Sequence, residues 1–139
     1  MSDPGGADDL EWRLSHLEHS VRLVFFTQTF GCDTCLPARQ AIDRIAGLSE
    51  RITVEEHNLV LDKEKVEEYG VERAPAIAVV GESDLGIRYY GVPAGYELAS
   101  IVDAVLIAGT GEIGLSDKSL DAIAGLERDV DIKVFVTPT

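Results

Sequence analysis

The chain has 139 residues, is 45% hydrophobic and 27% charged, and carries a formal net charge of −13. Such a length suits one globular domain with an appendage and buries a core without disulfide staples. The acidic balance excludes a nucleic-acid partner, because phosphates would be repelled. Arginines outnumber lysines eight to four, which fits a salt-rich cytoplasm or an ordinary acidic surface alike. From the N-terminus, "ADDLEWRLSHLEHS" places Leu10, Leu14 and Leu17 at helical spacing. "VRLVFFTQT" follows with four consecutive apolar residues, Leu23 to Phe26, which reads as a central strand buried on both faces. "CDTCLPARQAIDRIAGL" returns to helical period through Ile42 and Ile45 and stops at Gly47. "ITVEEHNLV" is a strand nearer an edge, and "DKEKVEEYG" a short charged helix ending at Gly70. "APAIAVV" and "GIRYYG" are two short strands joined by a turn at "GESD", and "GYELASIVDAVLIAG" is a long amphipathic helix.

This order is helix, strand, helix, strand, helix, strand, strand, helix. It predicts an α/β fold with a mixed four-stranded sheet between helical layers. No charged-then-apolar leader opens the sequence, and no run reaches the length of a membrane span, since even residues 101–109 are few and include Asp103. The expected compartment is therefore the cytoplasm, with no membrane partner. There, a Cys-x-x-Cys is more often catalytic or metal-binding than structural.

Both cysteines, Cys32 and Cys35, lie where the first central strand turns into its helix. Strand ends of open α/β sheets are the usual seat of chemistry. The spacing predicts Cys32 near the helix cap, where free N–H groups and the helix dipole favour thiolate, with Cys35 one turn further in. Two intervening residues permit both a closed disulfide and an open dithiol, as reversible exchange requires. Asp33 opposes the effect, since its charge disfavours thiolate, so the expected nucleophile is a moderate one. A tetrahedral zinc site needs four ligands, and no second cysteine pair exists. His16 and His19 lie three apart on a helix, a spacing that could share a metal, but read as solvated side chains, and His57 reads as a strand-surface residue rather than a ligand. A metal shared between two chains and inert packing remain the alternatives for the pair.

Three stretches, "VFFTQTFGCDTC", "VERAPAIAVV" and "GIRYYGVPAGYELASIVDAVL", resemble the N-terminal thioredoxin-fold unit of the archaeal-type tandem protein disulfide oxidoreductases, a glutaredoxin-like family. The resemblance spans nearly the whole chain from about Leu10. It implies a thioredoxin-like fold with an extra N-terminal helix. It also implies that Cys32 is the nucleophile and Cys35 the resolving cysteine. Pro75 matches the proline such folds hold cis, so that the Ala74 backbone faces an extended substrate and pairs with it as an added strand. The implied partners are protein disulfides or dithiols and an electron-donating reductase, with no cofactor and no metal. The alternative function is a non-catalytic interaction module. Two departures stand out. Phe26 occupies the position, six before the first cysteine, where many thioredoxins bury an acid. Ala74 precedes the proline and "YGVPAG" replaces a Gly-Gly turn, which speaks against a specific glutathione site.

An internal repeat sets the domain division. "VRLVFFTQT" at residues 21–29 recurs as "DIKVFVTPT" at 131–139, with Val24, Phe25, Thr27 and Thr29 matched by Val134, Phe135, Thr137 and Thr139. A helical stretch precedes each copy. The expectation is a thioredoxin-like domain over 1–115 and the start of a second unit over 116–139, forming a helix-strand appendage of an N-terminal half-protein. An apolar strand at 132–136 without neighbours would seek a sheet edge, and it is expected to add to this chain's own sheet, to pair with another copy in a homodimer, or to stay disordered.

Overall fold

The computed structural model describes residues 7–137. In chain order the elements are α1 (Ala7–Leu14), β1 (Val21–Thr27), α2 (Cys35–Ala46), β2 (Ile52–Asn58), α3 (Lys63–Tyr69), β3 (Ala76–Val80), β4 (Ile87–Tyr90), α4 (Tyr96–Thr110) and α5 (Asp117–Ala124). The sheet order is β2-β1-β3-β4. β2 runs parallel to β1, with Val21 opposite Ile52 and Thr27 opposite Asn58. β3 is antiparallel to β1, and β4 is antiparallel to β3. This is the mixed four-stranded sheet expected from the element order, with β2 at one edge as its early alternation indicated.

Successive side chains of a strand point to opposite faces, so the apolar run of β1 serves two cores. Val21, Leu23 and Phe25 pack with Ile42 and Ile45 of α2, with Ile101, Val102 and Val105 of α4, and with Leu14 and Leu17. Val24 and Phe26 face the other way, against Tyr69, Val71, Ala76, Ala78 and Val80. All five residues of β3 are buried, because it lies between β1 and β4 and is covered on both faces. Gly81, directly after β3, lies so close to α4 that an added Cβ would stand 2.2 Å from the Ala108 carbonyl oxygen. The helix can rest on the sheet there only because the residue has no side chain.

The C-terminal part behaves differently. Ser116 caps α5 by accepting a hydrogen bond from the Ser119 N–H at 3.2 Å, yet α5 buries no residue. Every described residue from 111 onward is exposed. The expected strand at 132–136 is not formed: residues 131–137 run outside the sheet, with no ladder among the described residues. The reason is physical, since a strand exists only through the hydrogen bonds of a neighbour, and none is in place. Val134, Phe135 and Val136 are 77, 91 and 81% exposed, whereas Val24, Phe25 and Phe26 of the first copy are at most 1% exposed. The matched Thr139 lies outside the described residues.

Gly81→Ala should push α4 off the sheet and destabilise the fold by about 1–3 kcal/mol, the usual cost of overpacking a well-packed contact. Chemical denaturation of both proteins measures it; a midpoint unchanged by the substitution would contradict the close approach.

Candidate active site

Four chain segments converge at the C-terminal end of β1. The first is the loop 28–34, which carries the chain from β1 into α2. Gly31 takes a left-handed φ of 73°, which a side chain would disfavour, and the Gln28 side-chain amide donates to the Phe30 carbonyl at 2.5 Å. Cys32 follows, half-buried, and Cys35 is 5% exposed. The two form a disulfide with Cα atoms 5.5 Å apart. In this oxidised state the two sulfurs are bonded to each other. Among the described residues no group of three or more His, Cys, Asp or Glu side chains is placed to hold an ion.

The start of α2 differs from the sequence reading. The helix begins at Cys35 itself, with Thr34 as its cap, so Cys32 lies two residues before the cap, while Cys35 opens the first turn rather than lying one turn inside. Pro37 explains the boundary: proline is tolerated in a first turn, where its missing N–H is not needed. Thr34 makes no side-chain cap hydrogen bond, and the first turn holds no carboxylate. The N–H groups of that turn are thus left for an anionic sulfur, while the exposed Asp33 lies outside the helix.

The second segment is the end of β2. The Leu59 N–H donates to the Thr27 carbonyl at 2.8 Å, and the Asn58 side-chain amide donates to Thr29 Oγ1 at 3.3 Å. Val60, Leu61 and Phe30 stand largely exposed around a groove of about 350 Å³ that Gln28, Thr29 and Asn58 complete. Sequence reasoning missed this apolar rim. The one signal was Phe30, an aromatic residue inside an otherwise polar loop.

The third segment is 72–76. The Ala74-Pro75 peptide bond is cis, and Pro75 is buried while Ala74 is half-buried. Because Ala76 pairs with Phe26, Pro75 lies at the same end of the sheet as the cysteines. The fourth segment is 90–96, where the Gly91 N–H donates to the Pro75 carbonyl at 3.1 Å. Next to it the Tyr89 hydroxyl donates to Glu97 Oε2 at 2.6 Å, linking β4 to α4. Burial, then this bond, raises the Tyr89 pKa well above its ordinary value, so the phenol stays protonated.

No carboxylate stands at position 26. The Phe26 ring is fully buried, with its centroid 5.5 Å from the His57 ring and 5.9 Å from that of Tyr69. His57, expected at the strand surface, is partly sheltered there, with 16% of its side chain exposed. Its Nε2 lies 2.9 Å from Glu55 Oε2, and that hydrogen bond holds the Glu55 carboxyl below its ordinary pKa, with Arg22 adding to the effect. Among the described residues no helix is long and apolar enough to cross a membrane.

Comparison with known proteins fits this geometry. No protein-family profile matches the chain. A protein named NADH dehydrogenase from Ferdinandcohnia aciditolerans is 31% identical over 98 residues, 69% of this chain but 16% of its own length. The NTD_N/C domain of the alkylhydroperoxide reductase AhpF from Enterococcus faecalis superimposes with a TM-score of 0.80 at 23% identity, over 92% of this chain and 62% of that one. A protein disulfide oxidoreductase from Aeropyrum pernix gives 0.75 at 24% identity, over 91% and 56%. The chain therefore spans under two thirds of each.

Reduced protein should be alkylated at Cys32 before Cys35, since only Cys32 is open to reagent. The pH profile of that reaction should give Cys32 an apparent pKa below the ordinary thiol value of about 8.5. Peptide mapping after brief iodoacetamide treatment reads the order, and a faster Cys35 would overturn the assignment. Sheet order, the disulfide at the junction of β1 and α2, the proline before β3 and these likenesses give the chain a thioredoxin fold.

Proposed function

We propose that the chain is a thiol–disulfide oxidoreductase acting on protein disulfides. The observation that carries this reading is the Cys32–Cys35 disulfide, with Cys32 half-buried and Cys35 buried, at the strand-to-helix junction of a thioredoxin fold. In the reduced form the Cys32 thiolate attacks one sulfur of a substrate disulfide. The other substrate sulfur leaves as a thiolate and takes up a proton. Cys35 then loses its proton and attacks Cys32 Sγ, which expels the second substrate thiol and closes the Cys32–Cys35 ring. Two electrons and two protons pass to the substrate in all. A reductase must then return two electrons to the ring. The relative named NADH dehydrogenase and the alkylhydroperoxide reductase support a donor of that kind.

Ala74 and Pro75 are assigned to substrate docking. The loop 72–76 borders the cysteine end of the sheet, and an extended substrate segment would pair there with the Ala74 backbone. The missing carboxylate at Phe26 leaves proton removal from Cys35 to water or to a leaving substrate thiolate.

Wild-type protein should accelerate insulin reduction by dithiothreitol, and Cys32→Ser should return the rate to the uncatalysed background. Cys35→Ser should accumulate a mixed disulfide with substrate, visible as an added mass that reductant removes. Full activity in Cys32→Ser would defeat the reading.

Residues 116–139 are assigned to the start of a second unit of the same kind. The support is the repeat of residues 21–29 together with the exposure of Val134, Phe135 and Val136. Ten large apolar side chains stand exposed between Ile113 and Val136, more than an isolated surface normally carries. Pairing of residues 132–136 between two copies would cover part of them. Deleting 131–139 should then convert a dimer into a monomer in sedimentation; an unchanged mass would remove the pairing.

A further inference from the structure

Three interactions converge on the five residues before and at the start of β3. Tyr90 is the cross-strand neighbour of Ala76. Its hydroxyl oxygen accepts the Glu72 N–H at 3.2 Å. Its ring carries the Arg73 guanidinium, whose carbon lies 4.1 Å from the ring centroid. The next residue, Gly91, donates its N–H to the Pro75 carbonyl. Tyr90, the last residue of β4, and Gly91 just after it thus hold Glu72, Arg73 and Pro75, and leave between them only Ala74, whose backbone the docking assignment uses.

Each contact has a clear physical role. The Glu72 N–H would otherwise be satisfied by water, and a loop held by water alone samples many φ/ψ states. A guanidinium stacked on an aromatic face has fewer rotamers and is attracted by the ring quadrupole. The Gly91 bond extends the β3–β4 ladder one step beyond Tyr90 and ties the loop to the sheet. A substrate segment that adds as a strand gains affinity when the receiving backbone is already ordered, because less entropy is lost on binding.

We propose that Tyr90 is a positioning residue: its hydroxyl and ring hold the loop 72–75 ready to receive a protein substrate. This rests on the docking assignment above. Tyr90 touches neither the cysteines nor their loop in any contact described, so its effect is expected on recognition of polypeptide and not on thiol chemistry.

The test uses the full chain with Tyr90→Phe, which keeps the ring under Arg73 but removes the acceptor, and Tyr90→Leu, which removes both. Tyr90→Phe should raise the KM for insulin about fivefold, as expected for one lost hydrogen bond, with kcat unchanged. Tyr90→Leu should raise it further. The rate constant of the reduced protein with a small aromatic disulfide, dithiobis(nitrobenzoate), should not change in either variant. Equal losses toward insulin and the small disulfide, or an unchanged insulin KM in Tyr90→Leu, would overturn the proposal. Amide hydrogen exchange gives a readout that does not depend on activity. The Glu72 amide should be protected in wild type and exchange faster in Tyr90→Phe, and equal exchange in both would also overturn it. If wild type fails to reduce insulin, the oxidoreductase reading falls, while the exchange result still decides whether Tyr90 orders the loop.

Discussion

Everything at the cysteine end of this molecule depends on β1 having a neighbour on each side and a core on each face. Leu23, Val24, Phe25 and Phe26 are all at most 1% exposed, and burying a side chain of this size contributes roughly 1.5–3 kcal/mol. A strand held that firmly fixes where its chain emerges. Thr27 is the last paired residue, and Cys32 follows after a loop too short to wander far. The same strand orders the segment before β3, since Ala76 is registered against Phe26. The disulfide and the loop before β3 are therefore both set by one strand, although 39 residues separate Pro75 from Cys35 in sequence. The tail supplies the contrast within one polypeptide: Val134 and Phe135 repeat Val24 and Phe25, yet lie in solvent because nothing pairs with them. Identity of residues makes a strand possible, and neighbours make it real.

Much of this was legible in the sequence because the signals were local. A four-residue apolar run bounded by polar turns can only be satisfied inside a sheet, and the i, i+3, i+4 pattern of Ala38, Ala41, Ile42 and Ile45 can only be a helix face. Gly70 ended α3 where it was expected to, as a left-handed cap. The start of α2 was misjudged because Cys32, Asp33 and Thr34 are each compatible with a helical turn, and the decisive residue, Pro37, lies after them. The grip of Tyr90 on Glu72 and Arg73 was out of reach. It spans 17 and 18 positions, and nothing in a strand's period says which loop its aromatic residues will meet. The partial shelter of His57 was out of reach for the same reason, since it comes from Phe26 of a different strand.

The fold itself does not dictate chemistry; a site does. What singles out this site is the difference between two chemically identical thiols. Cys32 lies in a loop ahead of the helix with reagent access, whereas Cys35 is the first helical residue and is covered. Burial favours the neutral thiol, while open N–H groups favour the thiolate. The pair is thereby divided into one sulfur suited to begin an exchange and one suited to wait until a mixed disulfide has formed beside it. With an aromatic ring in place of a buried carboxylate at position 26, that waiting thiol has no fixed base described beneath it. In the exchange proposed above, its proton leaves to water or to a leaving substrate thiolate.

That arrangement places weight on recognition. A resolving thiol that depends on water or on the substrate's own leaving sulfur acts only while the mixed disulfide is held in line with it. Under the proposed function, the groups at hand to hold a polypeptide there are the apolar rim of Phe30, Val60 and Leu61 on the β2 side and the loop before β3 on the other. Neither is part of the Cys-x-x-Cys, and each is fixed by a different neighbour of β1. A molecule with a net charge of −13 draws little general attraction from acidic polypeptides. Short-range contacts at these two walls must therefore carry the discrimination. The two strands that flank β1 complete its ladder, and each carries one of these two segments at its cysteine end.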